Sequence, residues 1–142
     1  MSANLIAKAT TNISAPASRV WDALTNPAII KQYFFGTQAV SDWKEGSPLE
    51  FRGEWEGKKY VDKGTILKIE PEKLFQYTYL SSFSNLPDAP ENYANISYEL
   101  YEEDGETALT VKQENIANEE AREHSEKNWE HVLKSLKDLL EK

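Results

Sequence analysis

Two histidines, His124 and His131, are the first residues to weigh for metal or general-base chemistry, and they stand seven positions apart. On a helix two turns separate them by roughly 10.5 Å, too far to share one metal. Both are expected on the surface. The chain has no cysteine, so disulfides and thiolate metal sites are excluded. A nucleophile would have to be serine, threonine or a carboxylate. Ser81, Ser82 and Ser84 read as loop, and no serine sits in a suggestive neighbourhood. Carboxylates are plentiful, but Glu50, Glu54, Glu102, Glu103 and Asp104 fall on wet faces or in turns. Gly46, Gly53, Gly57 and Gly64 punctuate the chain without forming a phosphate-binding loop, because no helix start closely follows any of them. No catalytic residue, metal or cofactor is expected.

The aromatic residues say more. Tyr33, Phe34 and Phe35, then Trp43, Phe51, Trp55, Tyr77, Tyr79, Tyr98 and Trp129 supply many large planar groups. Any one of them reads as ordinary core. Together they suggest a pocket, since tyrosine hydroxyls on an inward face need partners or water. Apolar walls with a few polar tips describe a small-molecule site. Gln113 is a polar residue in phase with Leu109 and Val111; it either satisfies buried backbone or faces ligand or water. Ser125 lies one helical turn before Trp129 and could line the same space, while Arg122 reads as solvated or at the mouth. The candidate ligand-binding set is Tyr33, Phe34, Phe51, Trp55, Tyr77, Tyr79, Tyr98, Gln113, Ser125 and Trp129.

The elements that must position them follow from periodicity. Leu5 to Ile13 reads as a strand, with Leu5, Ala7, Ala9, Thr11 and Ile13 on one side. Ser14-Ala15-Pro16 stops it and opens a short helix striped by Val20, Trp21 and Leu24, proline being tolerated in the first turn. Asn26-Pro27 starts a second helix carrying Ile29, Ile30, Tyr33 and Phe34, with Gly36 as its stop. From about Ser47 the period becomes 2. Leu49, Phe51, Gly53 and Trp55 alternate with Glu50, Arg52, Glu54 and Glu56. Glu56-Gly57 turns the chain into a strand over 58–69, whose inward face stays open because Ile66 and Leu67 are adjacent. Phe75, Tyr77 and Tyr79 form the next strand after Pro71-Glu72. Ser82 to Asn92, with Pro87 and Pro90, is a loop long enough for a lid, and a gate is expected between it and Tyr33–Phe35. Ala94, Ile96, Tyr98 and Leu100, the hairpin turn Asp104-Gly105, and Leu109, Val111 and Gln113 complete the sheet.

The last element is the clearest. Asn118 caps a helix with Glu119 and Glu120 in its first turn, where the dipole favours negative charge. Trp129, Val132, Leu133, Leu136, Leu139 and Leu140 form its apolar stripe. Glu123 with Lys127 and Glu130 with Lys134 are spaced as ion pairs on the wet side. About 24 residues give a rod of roughly 36 Å. A sheet burying one face against a single long helix must curve around it. The fold class is therefore α+β: a curved antiparallel sheet of six to seven strands around a long C-terminal helix, with two short helices after strand 1, in one domain spanning 1–142.

Charge and length narrow the partners. The net charge of −8 argues against nucleic acid and against anionic membranes. No apolar stretch approaches the roughly 20 residues that span a bilayer. Met1 to Ser14 has no basic start and apolar run, so no secretory leader is expected, and Asn12-Ile-Ser and Asn95-Ile-Ser are chance matches to the glycosylation acceptor. With no cysteine, a cytoplasmic setting fits.

The segments APASRVWDALTNPAIIKQYFFGT, DWKEGSPLEFRGEWEGKKYVDKGTILKIEPEKLFQYTY and NWEHVLKSLKDLLE resemble homologues of the activator of the ninety-kilodalton heat-shock protein ATPase. The similarity runs from about Ile6 to Glu141. That family lies in the START-like (SRPBCC), birch-pollen-allergen-like superfamily. The resemblance implies the helix-grip fold, a cavity for apolar small molecules, and a link to the stress response. In the eukaryotic activator a separate N-terminal domain engages the chaperone. The expected function is non-catalytic binding of a small apolar or aromatic molecule in an internal cavity, by a monomer or dimer. A co-chaperone domain acting through its surface is the first alternative, and a cyclase-like enzyme is the second.

Overall fold

The computed structural model describes residues 5–33, 37–55, 57–80, 89, 92–116 and 118–141. Alternating apolar residues build the first strand, β1 (Leu5–Ile13), which buries Ala7, Ala9 and Ile13. Two short helices follow, α1 (Ala17–Thr25) and α2 (Pro27–Tyr33). Pro16 stands just outside α1 and caps nothing with its side chain. The cap comes from Glu102, whose Oε1 accepts from the Ala17 N–H at 2.5 Å. Glu102 lies on the exposed face of its strand, as expected, and this contact is its added role. Asn26 caps α2 as expected, its Oδ1 accepting from the Ala28 N–H at 3.0 Å.

Six more strands complete the sheet: β2 (Gln38–Ser41), β3 (Pro48–Trp55), β4 (Lys58–Glu70), β5 (Leu74–Tyr79), β6 (Ala94–Glu103) and β7 (Glu106–Ile116). All pairings are antiparallel, in the order β1-β7-β6-β5-β4-β3-β2. The fold is the helix-grip α+β fold. Strand β2 has no counterpart in the sequence reading, because four residues are too few to show a period. The β6–β7 turn has positive φ at both Asp104 (53°) and Gly105 (78°), which a two-residue hairpin of this hand requires.

Strand β4 resolves the face left open by the sequence. Asp62 and Ile66 are buried and Tyr60 and Gly64 partly so, all on the concave side. A bulge between Ile66 and Lys68 then sets two residues of β4 against one of β5, and shifts the phase by one. Leu67 is thereby left 49% exposed, while Ile69 turns back toward the core. The adjacent Ile66-Leu67 pair that obscures the alternation is the bulge itself.

Helix α3 (Glu119–Leu140) closes the concave side. Asn118 caps it, accepting from the Ala121 N–H at 2.8 Å. Trp129, Val132, Leu133, Leu136 and Leu140 are buried, and Leu139 is partly so. The ion pairs differ from expectation. Among the described residues, Arg122 pairs with Glu119 and Glu126, and Lys137 pairs with Glu141. Glu123, Lys127, Glu130 and Lys134 are exposed, where an ion pair gains little over hydration.

The helix also finishes the free edge of β1. Glu126 Oε2 accepts from the Lys8 N–H at 3.3 Å, Glu141 Oε2 accepts from the Ser14 N–H at 2.9 Å, and Lys137 Nζ donates to the Asn12 carbonyl at 2.6 Å. Three backbone groups along this edge, at Lys8, Asn12 and Ser14, are thus satisfied from within.

Candidate functional site

Strand alternation points Phe51, Phe75, Tyr77, Tyr79 and Tyr98 at the same space, and α3 brings Trp129 to it. Phe75 is the hub. Its ring lies 5.3 Å from Tyr77, 6.0 Å from Tyr98, 6.1 Å from Trp43 and 6.2 Å from Trp21, centroid to centroid. Phe51 sits 5.8 Å from Tyr77 and 5.9 Å from Tyr79, and Tyr98 meets Trp129 edge-on at 6.0 Å. These are the separations at which aromatic pairs attract. At the centre is a void walled by Leu24, Ile30, Tyr33, Trp43, Phe51, Phe75, Tyr77 and Tyr98. It amounts to about 10 Å³, space for roughly one water. The rings have nearly filled the curve of the sheet.

The polar tips satisfy one another. Tyr77 and Tyr98 share a hydroxyl–hydroxyl hydrogen bond of 2.9 Å, and Tyr33 donates to the Ala23 carbonyl at 2.8 Å. Tyr79 donates to Asp62 Oδ2 at 2.5 Å, and Trp129 Nε1 donates to Gln113 Oε1 at 2.9 Å. Among the described residues no buried side-chain nitrogen or oxygen lacks a partner. Burial raises the phenols of Tyr33 and Tyr77 well above their ordinary value, and nearby Tyr98 adds to both shifts. Burial raises Tyr98 as well, against the opposing hydrogen bond with Tyr77. All three remain protonated at neutral pH.

Of the residues proposed from sequence, Tyr33, Phe51, Tyr77 and Tyr98 wall the void. Tyr79 and Trp129 stand directly behind them, and Gln113 is held by Trp129. That partner, the Trp129 indole, is one the sequence does not mark for Gln113. Ser125 is half-buried one turn before Trp129. Phe34, the side chain of Trp55, and most of the gate (Phe34, Phe35 and nearly all of Ser82 to Asn92) lie outside the described residues. Arg122 is engaged with two glutamates of its own helix, Glu119 and Glu126. His124 and His131 are exposed, and among the described residues no cluster of His, Asp or Glu could hold a metal.

Four wall residues are absent from the sequence-based set: Leu24, Ile30, Trp43 and Phe75. Phase identifies Phe75, since it alternates with Tyr77 and Tyr79. Trp43 has no such signal. It sits between strands at φ 57°, and only the turn brings its ring to Phe75. Asp62, 6% exposed, is hidden from sequence reasoning by the unassigned face of β4.

The family model described as Activator of Hsp90 ATPase homolog 1-like protein matches residues 14–141. No curated protein matches the chain. Among solved structures, ChR145 from Cytophaga hutchinsonii is 45% identical with a TM-score of 0.87, over 99% of this chain and 97% of that one. The Aha1 dimer from Colwellia psychrerythraea is 20% identical with a TM-score of 0.77, over 96% of each chain. DynU16, a protein in the dynemicin biosynthetic locus, is 18% identical with a TM-score of 0.79, over 96% of this chain and 47% of that one. The last two likenesses are of fold. No described helix is long and apolar enough to cross a membrane.

Proposed function

Because the chain belongs to the family of Activator of Hsp90 ATPase homolog 1-like proteins, we propose that it acts in the cytoplasm as a non-catalytic binding domain for one small apolar or aromatic molecule, taken up among the inward rings of the sheet beneath α1 and α2. The observation that supports this reading is the cluster of aromatic rings and two aliphatic side chains that surrounds the small central void. A ligand must displace rings to enter, and the polar groups that move with them lose little. The Tyr77 and Tyr98 hydroxyls now bond each other and can turn to a ligand's polar atom instead. The titratable groups in this interior that depart from their ordinary values are tyrosines, carried further from neutrality. That favours binding over acid–base catalysis, which needs groups poised near working pH.

The test is titration with N-phenyl-1-naphthylamine, an uncharged dye whose emission rises in apolar surroundings. Saturable one-to-one binding, weakened by Tyr77→Ala and by Trp129→Ala, is the expected result. Emission that rises linearly with dye, or that is indifferent to both substitutions, would overturn the reading.

Family membership also favours a second reading, a co-chaperone-like domain acting through its surface. Capture of the ninety-kilodalton heat-shock chaperone from a lysate of the host, or a change in that chaperone's ATPase rate, is the measurement that would establish it.

A further inference from the structure

The eight described residues that wall the central void are not alike. Seven are buried. Trp43 alone is half-buried, with part of its surface at the void and part in solvent. It is also the one wall residue at positive φ, 57°. That left-handed region crowds Cβ against the following carbonyl, and a bulky aromatic residue rarely occupies it.

The turn around Trp43 is fastened unevenly. On its far side the Gly46 N–H donates to the Ile66 carbonyl at 2.8 Å, and the Ile66 N–H donates to the Ser47 carbonyl at 2.9 Å. The Ile69 N–H donates to Glu45 Oε2 at 3.1 Å, so residues 45–47 are tied to β4. On its near side Ser41 acts as a buckle. Its Oγ accepts from the Trp43 N–H at 3.1 Å and donates to the Pro48 carbonyl at 2.8 Å. Two effects therefore oppose each other at Trp43. The buckle and the contact with Phe75, 6.1 Å between centroids, hold the ring in, while the backbone conformation favours its departure.

The void has room for about one water, so a larger guest enters only if a wall gives way. We propose that Trp43 is the wall that gives. Its backbone turns from positive φ to the extended region, the Ser41 buckle opens, and the ring leaves Phe75 to admit an apolar molecule from solvent. The proposal rests on the interior-binding reading above and assigns the route of entry. Ser41 is then a positioning residue, which sets how often the gate opens without touching the guest.

Stopped-flow mixing with N-phenyl-1-naphthylamine tests it. Entry through a gate makes the observed rate level off with dye concentration, at the rate of opening. Ser41→Ala removes the buckle and should raise that ceiling about three- to tenfold, the factor that corresponds to one ordinary hydrogen bond. Dissociation should quicken by the same factor, leaving Kd unchanged. In protein labelled with 5-fluorotryptophan, the Trp43 resonance, assigned by its loss in Trp43→Phe, should show microsecond-to-millisecond exchange that the dye suppresses. A rate that stays linear with dye and is indifferent to Ser41→Ala overturns the gate while leaving interior binding intact. So does a Ser41→Ala variant in which Kd changes and the ceiling does not, the mark of a merely structural role. Absence of saturable dye binding overturns the interior reading, and the wild-type fluorine signal then decides the motion: without exchange at Trp43 the gate fails, and with it the gate stands. The same signal decides if Ser41→Ala folds poorly.

Discussion

The indole Nε1 of Trp129 donates to Gln113 Oε1 at 2.9 Å, so one hydrogen bond ties the middle of α3 to the far end of β7. Trp129 is buried and Gln113 half-buried. Replacing Gln113 by leucine leaves the indole N–H without its acceptor and should cost about 1–3 kcal/mol. A glutamate side chain would keep an acceptor, so Gln113→Glu should cost less than Gln113→Leu. Urea midpoints of the two variants provide the comparison.

Leu133, 3% exposed on the core face of α3, tests the grip of the helix on the sheet. Leu133→Ala should cost about 2–5 kcal/mol through lost contact and the cavity left behind. A loss below about half a kcal/mol would mean the helix does not depend on this face, since core truncations of this kind rarely cost so little.

Gly64 admits no side chain. A Cβ there would lie 1.6 Å from the Thr78 carbonyl oxygen, which is backbone and cannot swing aside. Gly64→Ala should therefore part β4 from β5 locally, at about 1–3 kcal/mol or more. Thermal unfolding measures the cost, and loss of exchange protection at the Thr65 N–H, now bonded to Thr78 Oγ1 at 2.9 Å, localises it.

The buried tyrosines set an alkaline limit. Tyr33, Tyr77 and Tyr98 have folded-state pKa values raised above their unfolded value of about 10. The folded protein thus holds protons that the unfolded chain releases. This stability is fully present below pH of about 10 and is lost as pH rises toward the folded values. Phenolate absorbance from the buried three should appear only together with loss of far-ultraviolet ellipticity. Their ionisation near pH of about 10 with the fold intact would contradict this.

The other end of the pH scale involves Glu141. Hydrogen bonds from Lys137 and from the Ser14 N–H hold its carboxyl below the ordinary glutamate range. The interaction is present above that range and fades as pH falls through the lowered value. The Ser14 amide proton resonance should report this titration, with a midpoint below that of an exposed glutamate. Glu141→Gln should abolish the pH dependence.

How legible each part is depends on how local its cause is. Helix α3 is plain in the sequence because its cap, first-turn acids and apolar stripe all lie within one segment. Strands β1, β3, β5, β6 and β7 are legible for the same reason: an inward face every second residue. The inward face of β4 is not, because the bulge at Ile66 inserts a residue that no local rule marks. Tyr77 and Tyr98 are findable at the void as inward aromatics of neighbouring strands. Trp43 and Asp62 are not, since one depends on a turn at positive φ and the other on the phase of β4. The cap of α1 escapes notice altogether, because Glu102 comes from a residue 85 positions away.

The side chains that α3 lends to β1 have a consequence for the protein in a crowded solution. A sheet recruits foreign strands wherever its outer backbone groups remain unclaimed, and here one of the two margins is claimed by Glu126, Lys137 and Glu141. The opposite margin is β2, a strand of four residues. So short a strand offers little to copy. A variant stripped of Lys137 and Glu141 should keep the same interior yet become the more prone to fibrils.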